Sequence, residues 1–143
     1  KKKKKGTAVA EFRIPKGKPY EFTVRVIAKD SFLPQDLTDG AGLAACTFEL
    51  IDWDTMVKYS NSIIGVVQGN PLDGVVKFSL TSDYTDGLEI ARGEKVDGYY
   101  LKPGYQGVVS ITFVDAAIED RVTTIDKVYI VPVGSVESVG YEQ

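Results

Sequence analysis

Tyr105–Phe113 reads YQGVVSITF, and Arg121–Val133 reads RVTTIDKVYIVPV. Both runs are rich in β-branched and aromatic residues, and the seven residues between them, VDAAIED, have the length and polarity of a loop. Two such runs joined this way are expected to pair as antiparallel strands. Leu101-Lys-Pro-Gly104 stands just before them. Its Pro fixes φ and its Gly tolerates positive φ, so the run reads as a turn that delivers the chain into the pair. The pair is expected to be the spine of a β-sandwich.

Working outward, further strand signals recur at short intervals. Tyr20–Ala28 alternates, with Tyr20, Phe22, Val24, Val26 and Ala28 on one face and Glu21, Thr23 and Arg25 on the other. Period-2 patterning of this kind marks a half-buried strand. Thr7–Ile14 alternates in the same way before Pro15 and Pro19 end it. Leu43–Trp53 and Val75–Leu80 read as strands, Val96–Leu101 leads back to the spine, and Met56–Tyr59 with Ser62–Val67 reads as a hairpin over Ser60-Asn61. Between Lys29 and Gly42 lies a long connection in which Leu37 is expected to tuck back onto the core. Its acids lack the spacing of a calcium loop and read as turn formers. Thr81 or Ser82 can cap one short helical turn that Gly87 ends. No 3.6-residue apolar period extends over ten positions. The expected fold class is all-β: a single antiparallel Ig-like β-sandwich of about seven to nine strands. The antibody-type Cys…Trp…Cys pattern is missing.

A chain of 143 residues suits one domain with one core. The expected divisions are 1–18, a flexible basic N-terminal arm with a first edge strand; 19–134, the sandwich; and 135–143, a C-terminal tail. No apolar stretch approaches the roughly 20 residues needed to cross a bilayer, and no signal peptide is expected, because the basic start meets no apolar run. The single cysteine, Cys46, precludes an intramolecular disulfide and reads as a small buried apolar residue. Histidine is absent. That removes the commonest general base and the commonest transition-metal ligand. A Ser-His-Asp or Cys-His centre cannot be assembled from this chain. No phosphate-loop glycine spacing occurs. Asp52 and Asp54, expected on one strand face, do not make the facing acids of a glycosidase. The inventory favours a scaffold over a catalyst, with no catalytic residue, metal or cofactor expected.

Charge is segregated. Residues 1–18 hold eight Lys/Arg against one Glu, a net +7, whereas the remaining 125 hold nine Lys/Arg against nineteen Asp/Glu, a net −10. Lys1, Lys2, Lys3, Lys4 and Lys5, with Arg13, Lys16 and Lys18, are therefore the candidate partner-binding cations. The lysine run reads as a solvated tail, as an element docking into an acidic groove of an assembly partner, or as a nucleic-acid contact. The last is disfavoured, because an acidic body repels phosphate and no aromatic or Arg residue interleaves the lysines. Trp53, between two acids at a strand end, reads as the closure of a core end or as a platform for a sugar ring. Tyr99 and Tyr100 point to opposite faces of a strand, so one of them, with Tyr105 nearby, is a candidate interface aromatic.

One order of phrases resembles a known family. Tyr20–Ala28 is followed by Asp36-Leu37-Thr38, then ACTFELID at Ala45–Asp52, GVVKFSLT at Gly74–Thr81, Thr85 and Leu88, LKPGY at Leu101–Tyr105, and KVYIVPV at Lys127–Val133. This resembles the Ig-like β-sandwich domain of tailed-bacteriophage virion proteins, as in the N-terminal domain of baseplate upper proteins, over residues 18–134. The stretch between Asp52 and Gly74 is longer than that pattern needs. The resemblance implies a non-enzymatic structural protein of the virion, assembled in the host bacterial cytoplasm. Protein–protein contacts with capsid or tail/baseplate subunits would attach it as a capsid decoration or a tail/baseplate component. A carbohydrate- or cell-surface-binding sandwich module is the alternative, resting on Trp53 and the tyrosines.

Overall fold

The computed structural model describes residues 11–28, 31–38, 43–59, 62–96, 99–115 and 117–132. The expected spine is present. Strand β9 (Tyr105–Phe113) buries every second residue along its whole length. It pairs antiparallel with β10 (Arg121–Val131), from Arg121 opposite Ile111 to Val128 opposite Tyr105. The register shifts between Ile125 and Val128, a bulge that returns Val128 and Ile130 to the core face, while Tyr129 is buried on the other face beneath the Arg13 guanidinium. On its other side β9 pairs antiparallel with β3 (Leu43–Asp52), from Leu43 opposite Phe113 to Asp52 opposite Tyr105. β1 (Glu11–Pro15) lies outside β10 and β4 (Ile63–Ile64) outside β3, completing a five-stranded sheet.

A second sheet has the order β2 (Tyr20–Arg25), β6 (Val75–Leu80), β5 (Val66–Val67), all antiparallel. The faces of β2 and β9 fall as their alternation requires. Side chains of both sheets share one core. Phe22 of the second sheet meets Phe48 of the first edge-on at 4.9 Å and stacks on Phe78 of its own sheet at 5.2 Å, and Phe12 of β1 stands 4.7 Å from Phe22. Full burial of one such ring contributes roughly 1.5–3 kcal/mol. The fold is all-β with two sheets meeting at this core.

Two expectations are corrected. The arrangement is not wholly antiparallel, because β1 runs parallel to β10, from Glu11 opposite Lys127 to Pro15 opposite Val131. A parallel pair needs a long crossover, and the whole body of the chain supplies it. Among the described residues the two sheets hold eight strands, and β7 (Lys95–Val96) and β8 (Tyr99–Tyr100) form a separate pair; β4, β5, β7 and β8 have two residues each, too few to leave a period in the sequence. Nor do Met56–Tyr59 and Ser62–Val67 form a hairpin with one another. Lys58 bridges to Ile51, while Ile63 and Ile64 pair with Phe48 and Thr47, so the first run and the start of the second each lie along β3. Ser60 and Asn61 are outside the described residues.

The chain then changes sheet at Gly65. β4 belongs to the first sheet and β5 to the second, with Gly65 alone between them. Its N–H donates to the Cys46 carbonyl at 2.8 Å, and its own carbonyl accepts from the Cys46 thiol at 3.2 Å. Cys46 is buried, as expected, and burial raises its thiol pKa. A Cβ on Gly65 would lie 2.6 Å from Val76 Cγ1 and 2.7 Å from Phe78 Cε1. These are packed core atoms. Gly65→Val is therefore expected to lower unfolding free energy by about 1–3 kcal/mol, read as a reduced urea midpoint. A midpoint equal to wild type would mean that the crossing does not need glycine.

Candidate docking surfaces

The pairings place three connections at one end. Arg25 is opposite Val75, Leu43 opposite Phe113 and Arg121 opposite Ile111, so the β2–β3, β5–β6 and β9–β10 connections leave from the same side. Hydrogen bonds tie them together. Val26 N–H donates to Gly74 O at 2.7 Å and Leu37 N–H to Pro71 O at 3.1 Å, joining the first two. Arg121 Nη2 donates to Ile27 O and to Gln35 Oε1, both at 3.3 Å, joining the third. Leu37 is buried in the core, as expected, and pins the long β2–β3 connection. The β5–β6 connection is a 3-10 turn over Pro71–Asp73, capped by Asn70, whose side chain accepts from Leu72 N–H at 3.0 Å. Gly74 closes it at φ 70, where a Cβ would meet Val26 O at 2.7 Å. Asp36 and Asp115 also act as turn formers, accepting from the N–H groups of Thr38 and Ala117 at 2.9 Å.

Apolar side chains project from this rigid base. Phe32 is 96% exposed, and Leu33, Leu72 and Val114 are exposed with it. Asp36, Asp73, Asp115, Glu119 and Asp120 stand in the same connections. Between the sheets, beside this end, an open groove of about 460 Å³ is floored by Val24, Val109 and Ile111 and edged by Arg25, Asp120 and Arg121. None of the exposed apolar residues was singled out by strand periodicity. The available signal was compositional: SFLP, NPLDG and VDAA place large apolar residues among turn formers.

The candidate cations separate. Lys1–Lys5 lie outside the described residues. Arg13, in β1, pairs with Glu11 at 2.7 Å and holds its guanidinium 4.9 Å from the Tyr129 ring centre. An exposed pair of this kind adds little stability. Lys16 fastens the fold internally: its ammonium donates to the carbonyls of Asp86 and, at 2.8 Å, Leu88. These carbonyls lie at and beyond the C-terminal end of α1 (Ser82–Asp86), where helical partners run out. Thr81 caps that helix and Gly87 ends it, as expected. Lys18 is exposed.

The aromatics also separate. Tyr105 is corrected from an interface candidate to a core residue, 4% exposed. It opens β9 on that strand's inward face. Its hydroxyl accepts from Glu89 N–H at 3.2 Å, and its ring stands edge-on to Tyr59 at 5.6 Å. Tyr59 meets Tyr84 edge-on at 5.8 Å. Tyr100 is exposed, with the Lys95 ammonium 5.7 Å from its ring centre. Tyr99 lies in β8, and its side chain is outside what is described. Trp53 sits in the turn after β3, half-buried and outside the core cluster, with its backbone N–H donating to Gly104 O at 3.0 Å. Asp54 is in the same turn and not on a strand face with Asp52. Asp52 instead accepts from the N–H groups of Thr55 and Asp54, both at 2.9 Å, and these bonds lower its pKa. Glu49 is lowered as well, by Lys58 and Ser62. Among the described residues no group of three or more His, Cys, Asp or Glu is placed to hold a metal ion. No helix among them is long and apolar enough to cross a membrane.

No family model and no curated protein matches the chain.

The buried phenols give the fold a pH limit. Burial first, then the neighbouring Tyr59 and Tyr105, push the Tyr84 phenol from 10.0 up to about 12. The unfolded chain loses that proton near 10 and the folded chain near 12, so the stabilising contribution is whole below pH 10 and lost as pH rises to 12. Burial raises Tyr20 and Tyr105 in the same direction. The urea midpoint is expected to fall between pH 10 and pH 12, and less steeply in Tyr84→Phe. An identical slope in that variant would remove Tyr84 from the effect.

Proposed function

We propose that the chain is an Ig-like β-sandwich module of a tailed-phage virion, non-enzymatic and attached by protein–protein contacts as a capsid decoration or a tail/baseplate component. The observation that carries the fold half of this reading is the strand order. β10-β9-β3-β4 facing β2-β6-β5 corresponds to the G-F-C-C′ and B-E-D sheets of an immunoglobulin-like domain. Tyr105 supports it. It begins the strand equivalent to F, where that corner's tyrosine stands, and its hydroxyl likewise bonds upstream backbone, here at Glu89, sixteen residues back rather than a few. Gly107 stands two residues later, where antibody domains carry a cysteine, and a Cβ there would be 2.7 Å from the Phe48 ring. Phenylalanine packing thus takes the place of the inter-sheet disulfide.

The virion half rests on the order of sequence phrases. Ala45–Asp52 falls within β3, Gly74–Thr81 spans β6, and Lys127–Val131 closes β10. An end bearing exposed apolar side chains is what a docking module requires, and the basic run Lys1–Lys5 offers a second contact, to an acidic groove of capsid or tail/baseplate subunits. The chain would then work in the virion, after assembly in the bacterial cytoplasm.

Deleting residues 1–6 is expected to weaken incorporation into particles without lowering the melting temperature. Unchanged incorporation, measured by co-sedimentation with capsids and with tails, would refute the arm's role. Glycan-array binding that disappears in Trp53→Ala would replace the virion reading with that of a carbohydrate-binding module.

A further inference from the structure

The two charged regions of this chain match each other. Among the described residues the connections within 26–42, 68–74 and 114–120 carry Asp36, Asp73, Asp115, Glu119 and Asp120, five acids against Arg25 and Arg121 at their edge, whereas residues 1–5 are all Lys. The acidic connections meet at one end, fastened by the Val26–Gly74, Leu37–Pro71 and Arg121–Gln35 hydrogen bonds. The same end exposes Phe32, Leu33, Leu72 and Val114. A lysine side chain suits such a mixed surface, since its apolar stem covers hydrocarbon while its ammonium meets carboxylates or an aromatic face. Acidic side chains around an apolar patch select against an acidic partner surface and favour a basic one.

We propose that this acid-rimmed apolar end receives the Lys1–Lys5 run of a second copy of the chain, so that copies join head to tail. The inference deepens the docking-module reading and rests on it, naming a first partner for both surfaces. A head-to-tail contact is heterologous: each copy gives one surface and receives through another, so it extends into rings or filaments unless a partner stops it.

The test separates donor from acceptor. Sedimentation velocity of the full chain at low salt is expected to show self-association, weakened about tenfold or more at 0.5 M salt, where the Debye length shrinks to a few ångströms. A donor-deficient variant lacks residues 1–6. An acceptor-deficient variant carries Phe32→Ser, Asp73→Lys and Glu119→Lys. Each alone is expected to be monomeric, and a mixture is expected to form a one-to-one dimer, because each supplies what the other has lost. That restoration shows the donor-deficient variant folded, and a cooperative urea transition checks the fold of the acceptor-deficient one. A wild-type chain that stays monomeric at low salt overturns the inference. So does a mixture that stays monomeric while wild type associates. Association that survives deletion of residues 1–6 also overturns it and points to the loop ends pairing with each other. A monomeric chain that still enters particles through its arm would sink the homotypic contact and leave the docking reading intact.

Discussion

β9 has an antiparallel partner on each side, so neither of its edges presents an unpaired ladder. Five of its nine residues point into the core: Tyr105, Gly107, Val109, Ile111 and Phe113. Because the side-chain period is two, a slip of one residue would turn all of them outward at once and bury Gln106, Ser110 and Thr112. The register of β10 and of β3 is therefore set from β9 outward. Gly107 adds a second condition. The Phe48 ring occupies the space its side chain would fill, and Phe48 in turn packs against Phe12, Phe22 and Phe78. A central strand with one missing side chain thus allows an aromatic cluster to bridge two sheets.

The remaining topology follows from two departures from simple hairpins. At Gly65 the chain passes between sheets within one residue, at a point too crowded for a Cβ. At the other margin, β1 joins the last strand while β2 joins the opposite sheet, and the turn between them uses Gly17 at φ 81. Lys16, in that turn, fastens it to the end of α1, and the Thr85 hydroxyl lies 2.8 Å from Lys18 O. The buried Thr85 hydroxyl and the Lys16 ammonium both find backbone carbonyls at this corner, which holds it without requiring more apolar area.

Strands with long alternation were legible in the sequence because burial of one face imposes the pattern: β2 and β9 are the clear cases. The short pieces were not. Ile63–Ile64 and Val66–Val67 look like one apolar run with a glycine inside it, yet the glycine divides two sheets. Periodicity records only which face is buried, not which neighbour a strand chooses, so the parallel β1–β10 pair was equally hidden. Site residues were less legible still. Lys16 and Arg25 are both cationic in sequence, but only coordinates reveal that two carbonyls already hold Lys16. Tyr105 and Tyr100 are five residues apart, and a turn between them sends one inward and the other out. The exposed apolar end was missed because loop residues obey no period; Phe32 is conspicuous only once its neighbours have folded away from it.

The parallel contact of β1 with β10 has a mechanical meaning. Two parallel neighbours have their leading ends on the same side, so the start of β1 and the finish of β10 lie at opposite ends of the pair. Tension applied between those points draws the two strands past one another lengthwise. All the cross-strand bonds then resist together rather than opening in succession like a zip. A unit gripped through β1 and β10 would bear load in its stiffest direction.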